Sequence, residues 1–118
     1  MTSPIFVLAN DGELMMFESP ERVTAYVESP DVEAGEYTGA FDAEGWKLIL
    51  RVSEPTRRRR FLGIQTVGLT KVLLDYADPP ENCPADLAND LRRALNIDDT
   101  SIELAELVEQ AQRKLKWR

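Results

Sequence analysis

The chain has 118 residues, 43% of them apolar and 30% charged, with 21 acidic against 14 basic side chains and a net charge of -7. That balance belongs to a globular chain able to bury a real core, and no apolar run approaches the roughly 18 residues of a membrane span. Histidine is absent and cysteine occurs once, at Cys83, so histidine-based triads, histidine–cysteine dyads, zinc sites and an internal disulfide are all unavailable.

Ile5 to Ala9 is short, apolar and β-branched, and Asn10-Asp11-Gly12 places turn chemistry directly before a second apolar run, Leu14 to Phe17. This predicts a β-hairpin in which Gly12 takes the positive φ of the turn. The opening MTSPIFVLANDGE has no basic n-region ahead of its short apolar stretch, so no signal peptide is expected. Ser19-Pro20-Glu21 supplies an N-cap hydroxyl, a proline at N1 and an acid in the first turn, and Val23, Tyr26 and Val27 recur with helical spacing. A short helix is expected to end at Ser29-Pro30, since the residue before proline disfavours the α region.

Tyr37 to Phe41 and Trp46 to Val52 alternate as strands around Asp42-Ala43-Glu44-Gly45, which has the pattern of a type I turn followed by a left-handed glycine. On this reading Phe41 and Leu48 face the core on the same side of one sheet. Pro55 breaks the second strand, Arg57 to Arg60 form a basic loop or strand start, and one or two strands follow between Phe61 and Tyr76. A helix begins near Pro84, with Leu87, Leu91, Ala94 and Leu95 on one face, and closes near Asn96. Thr100 or Ser101 caps a last helix whose apolar face runs from Ile102 to Leu115. The order predicts one α+β domain over residues 1–118. It has a mainly antiparallel sheet of about five strands, a short helix after the first hairpin, and two C-terminal helices packed on one face.

Charge is segregated along the chain. Residues 1–50 carry a net of -8, residues 51–71 +5, residues 72–99 -5 and the last nineteen +1. An acidic chain repels nucleic acid and anionic membrane and attracts basic partners at long range. Four candidate sites stand against that background. Asp31-Val-Glu33-Ala-Gly35-Glu36 starts like an EF-hand loop, but its glycine stands at position 5 rather than 6, and position 12 is Asp42 rather than glutamate. The pairs Glu33/Glu36 and Asp42/Glu44 lack the contrast of environments that separates an acid from a base. Arg57 to Arg60 could contact phosphate, which makes a weak RNA-binding domain one reading, testable by RNA retained on purification. Cys83 lies between Asn82 and Pro84 in an acidic loop, without the basic neighbours of a reactive thiol, which suits an incidental or partly buried residue. No catalytic residue, metal or cofactor is therefore expected. What remains is an acidic surface of Glu28, Asp31, Glu33, Glu36, Asp42 and Glu44, with Trp46 as an aromatic anchor.

A further pattern bears on its use. Tyr26-Val27-Glu28, Asp31-Val32-Glu33, Gly35-Glu36-Tyr37 and Phe41-Asp42-Ala43-Glu44-Gly45, after a hairpin and a Ser-Pro-Glu helix start, resemble the N-terminal half of small acidic immunity proteins. Such proteins are encoded beside bacterial polymorphic toxins, including those of contact-dependent inhibition type. The resemblance covers about 50 residues; the C-terminal half adds only a general leucine-rich two-helix pattern. It implies a cytoplasmic, non-enzymatic protein that neutralises a cognate toxin by blocking its active site. Many such toxins are basic nucleases, and other chemistry, such as NAD consumption, is equally open. The resemblance carries no specific contact residues. The competing reading is a regulatory or assembly module for another basic protein.

Overall fold

In the computed structural model, residues 1–53, 59–61, 64–66 and 71–118 are described, the two three-residue segments at the level of backbone pairing. The first hairpin forms as its sequence dictates: β1 (Ile5–Ala9) and β2 (Leu14–Phe17) pair antiparallel with Ile5 opposite Phe17 and Leu8 opposite Leu14. Gly12 closes the turn at φ +91°. Helix α1 (Pro20–Tyr26) starts where the Ser19 hydroxyl accepts the Arg22 N–H at 3.2 Å, and it buries Val23.

The chain does not then enter a plain turn. Ser29-Pro30 ends nothing; it opens a second short helix, α2 (Ser29–Glu33), with proline in its first turn, where a missing N–H is harmless. Strand β3 (Tyr37–Phe41) pairs antiparallel with the free side of β1, giving the order β2-β1-β3. Strand β4 (Leu48–Val52) pairs instead with β7 (Val72–Tyr76), Leu48 opposite Tyr76 and Val52 opposite Val72. Between them, β5 (Arg59–Phe61) and β6 (Ile64–Thr66) form a two-stranded hairpin. The α+β class and antiparallel pairing are as expected, but five strands are divided between a three-stranded and a two-stranded sheet.

Two cores result, one on each face of β2-β1-β3. On one side Ile5, Val7, Met15, Phe17 and Ala40 meet Val23 and Val27 around α1, with Leu48 and Val72 from the second sheet. On the other, Phe6, Met16 and Phe41 meet Leu87, Ala88 and Leu91 of α3 (Pro84–Leu95) and Leu107, Val108 and Ala111 of α4 (Leu104–Lys114). The period-2 alternation of a strand sends successive side chains to opposite faces, so a strand that is apolar throughout serves both. Phe6, Phe17 and Leu87 are fully buried, and each such side chain contributes roughly 1.5–3 kcal/mol by leaving water.

Phe41 and Leu48 thus lie in different cores, contrary to the single-hairpin expectation. The expected turn does form, with Asp42 N–H donating to the Trp46 carbonyl at 3.1 Å and Gly45 N–H to the Asp42 carbonyl at 3.1 Å. The strands part after a single bridge, Phe41 to Lys47. The cause is a second set of bonds that holds residues 45–47 to the segment before α3. Lys47 N–H donates to the Glu81 carbonyl at 2.8 Å, and Cys83 N–H to the Gly45 carbonyl at 2.8 Å. A side chain at Gly45 would put its Cβ 2.7 Å from Pro84 Cα, so only glycine allows this approach.

At the C-terminal end, Asn96 caps α3 in the left-handed region at φ 56°, as the Leu95–Asn96 boundary predicts. Helix α4 begins later than expected. Asp99 takes the N–H and hydroxyl of Ser101 at 2.9 and 2.6 Å, holding residues 99–101 as a turn, and Glu103 occupies the N-cap position. Ile102 still packs on the second core from outside the helix. Arg92 of α3 reaches across this connection and donates to the carbonyls of Thr100 and Ile102 at 3.2 and 3.0 Å.

Candidate interaction surface

The acidic residues named by sequence divide into two groups at opposite ends of β3, whose five residues span about 13 Å between the outer Cα atoms. The first group surrounds α2. Glu28 is at its N-cap position, Asp31 in its first turn, where a carboxylate suits the helix dipole, Glu33 at its last residue, and Glu36 in the link to β3. Glu28, Glu33 and Glu36 are exposed and Asp31 is half-exposed. None of the four enters an ion pair among the described residues, whereas Glu13, Asp75, Glu81, Asp90, Glu106 and Glu109 all do.

Tyr37 senses three of these carboxylates. Its side chain packs on the first core beside Val32, and burial raises its hydroxyl pKa above the ordinary value of 10.0; Asp31, Tyr26, Glu36 and Glu28 add to the rise. The phenol therefore loses its proton against burial first and against the negative charge of Asp31, Glu36 and Glu28 second. Tyr26 beside them is 47% exposed while its ring meets Phe17 edge-on at 5.4 Å between centroids. The face thus has four acids without an ion pair among the described residues, and two tyrosines. Helix α2 and the two tyrosines were not among the expected site residues. The Ser-Pro-Asp step was a legible helix start that the preceding proline rule obscured.

The second group behaves differently. Asp42 is 1% exposed, and its carboxylate is consumed by the turn itself. Oδ1 accepts the N–H groups of Glu44 and Trp46, both at 3.0 Å, and Oδ2 accepts the Thr2 N–H at 3.2 Å. A buried carboxylate with three internal donors has nothing to present to a partner, so Asp42 leaves the candidate set as a structural residue. Glu44 is exposed but accepts the Thr2 hydroxyl at 3.0 Å, and Trp46 is half-buried with its backbone bridged to Asn82. Neither adjoins the α2 face.

Arg57 and Arg58 lie outside the described residues, as do the side chains of Arg59 and Arg60, whose backbone belongs to β5. Cys83 is half-buried at the N-cap position of α3. Among the described residues, no group of three Cys, Asp or Glu side chains is disposed to hold a metal ion, and no helix is long and apolar enough to cross a membrane. No protein-family model matches the chain, and no characterised protein or solved structure shows significant similarity to it.

Proposed function

We propose that the chain is a non-enzymatic, cytoplasmic binding protein of the immunity type. It neutralises a cognate toxin by laying the acidic α2 face over the toxin's substrate site. The observation that carries this reading is the run of acids on and beside α2, Glu28, Asp31, Glu33 and Glu36, none paired with a cation among the described residues, with the exposed Tyr26 nearby in the chain. Carboxylates that pair with no cation among the described residues keep their long-range field available, and aromatic side chains supply rigid contact area at an interface centre. A basic toxin, such as a nuclease, presents the complementary charge. Steering by that charge raises association rates from roughly 10⁵–10⁶ toward 10⁸–10⁹ M⁻¹s⁻¹ at low salt.

The test takes the toxin domain encoded beside this chain's gene and follows association by stopped flow across ionic strength. The double variant E33K/E36K is expected to associate at least about tenfold more slowly at low salt and to lose most of the salt dependence. An unchanged low-salt rate refutes the placement of the interface. Absence of any toxin gene nearby, with the chain in a metabolic operon, favours the regulatory-module reading instead.

A further inference from the structure

Strand β4 has one edge bonded and one edge open, and the hydrogen bonds at its ends fix which residues face which way. The Ala77 N–H donates to the Lys47 carbonyl at 3.0 Å and the Ser53 N–H to the Lys71 carbonyl at 2.8 Å. With the register of Ile49 opposite Asp75 and Arg51 opposite Leu73, residues 47, 49, 51 and 53 are the hydrogen-bonded set toward β7. The intervening residues turn their N–H and C=O the other way, toward β3. On β3 the Asp42 N–H to Trp46 carbonyl bond sets the same parity at the bridged end, and the register shift between Gly39 and Tyr37 breaks it further along. After the one bridge at Phe41–Lys47 the strands are unpaired. Among the described residues, β4 has a ladder with β7 alone, and no ladder joins Leu50 or Val52 to β3.

The gap is a groove of about 200 Å³ open to solvent, lined by Val32, Tyr37, Thr38, Leu48 and Leu50, with Lys47 at the bridged end. Lys47 is already set against Glu81 at 3.7 Å. Val32 comes from α2, where Asp31 and Glu33 flank it in sequence, and Glu36 directly precedes β3, so the acids belong to the same segments that line the groove. An unpaired strand edge is a template for main-chain pairing, and side-chain pockets beside it give such pairing its specificity.

We infer that the open edge of β4 takes up an extended, basic segment of the partner protein by strand addition. That segment pairs with Leu50 and Val52 while an apolar side chain enters the groove and cationic ones meet the α2 acids. A second copy of this chain is disfavoured as occupant, because it would bring the same unpaired acids against one another. The inference rests on the reading of the α2 face as a basic-partner surface and adds the mode of engagement. The five residues of β4 match a partner strand of about five residues, or roughly 17 Å.

The probe is a synthetic decapeptide alternating lysine with valine and threonine, compared with the same peptide N-methylated at every second residue, which keeps the side chains and removes half the donors. Binding is followed by ¹⁵N chemical shifts on the intact protein, with amide exchange read at Leu50 and Val52. The expected result is that N-methylation in the pairing register weakens binding at least tenfold, and that the unmodified peptide slows exchange at both amides. Val52→Pro, which deletes an N–H that β7 does not use, should weaken peptide binding similarly with the urea midpoint retained. Equal binding of both peptides overturns strand addition and leaves the acidic-face reading standing. Binding of neither peptide also overturns the inference; the toxin association experiment then decides the acidic-face reading by itself.

Discussion

Removing the Asp42 carboxylate should show how much of the fold depends on one turn. In Asp42→Ala, the N–H groups of Glu44, Trp46 and Thr2 lose their acceptor at once. Hydrogen bonds to a charged acceptor are worth roughly 1.5–3 kcal/mol each when their donors are left buried, but the Thr2 and Glu44 backbones can recover water. The expected net loss is about 3 kcal/mol. With an unfolding entropy of roughly 2.1 cal/mol/K per residue, a chain of 118 residues loses about 12 °C in Tm. Asp42→Asn keeps Oδ1 for the two turn donors and opposes an amide NH₂ to the Thr2 N–H, so about 1 kcal/mol, or 4 °C, is expected. Thermal circular dichroism with parallel urea titrations measures both. A loss below about 4 °C for the alanine variant, or equal losses for the two, would refute the assignment of the turn's stability to the bonds on Oδ1. Because Asp42 is internal, the proposed function further predicts that the folded asparagine variant associates with a partner toxin at the unaltered rate.

Gly45→Ala and Gly12→Ala form a matched pair: both residues have positive φ, at +88° and +91°, but only Gly45 has a neighbour where a Cβ would stand. Urea midpoints should show a loss of about 1 kcal/mol at Gly12, from backbone conformation alone, and at least twice that at Gly45. The phenol of Tyr37 should ionise above the ordinary 10.0, so the stability it contributes is complete below that pH and is lost as pH rises through the higher value. The difference titration at 295 nm against Tyr37→Phe reads the midpoint, and Asp31→Asn should lower it. Burial raises the Asp90 carboxyl above 3.8, with Arg93 at 3.6 Å opposing the rise and Asp86 adding to it. Its contribution is therefore full at low pH and lost as pH rises through the raised value, so Asp90→Asn should raise the denaturation midpoint at pH 7 and leave it unaltered near pH 3.

The elements whose signals are local were legible before the coordinates. Ser19, Gly12, Pro84 and Asn96 each fix a cap or turn by their own chemistry, and the structure uses each as expected. The turn at Asp42–Gly45 was legible as well, yet its consequence was not. Where β4 goes is decided by Glu81, Cys83 and Pro84, more than thirty residues later, and no periodicity near Asp42 announces that contact. The acidic face was half legible. The carboxylates around residue 31 could be counted in the sequence, but their effect on Tyr37 depends on α2 packing near β4, with Val32 and Tyr37 on the same core. Asp42, read as one more surface acid, is separated from the others only by its burial.

Strand β1 is five residues long, and both cores close on it: Ile5 and Val7 enter one, Phe6 the other. Neither half of the molecule has a complete wall without the other's strand. The α1 side and the α3–α4 side therefore cannot act as separate foldons, and opening either exposes the back of the remaining one. The helices on the far side of the sheet are in this way tied to the α1 side through all three of its strands, each of which sends side chains to both cores.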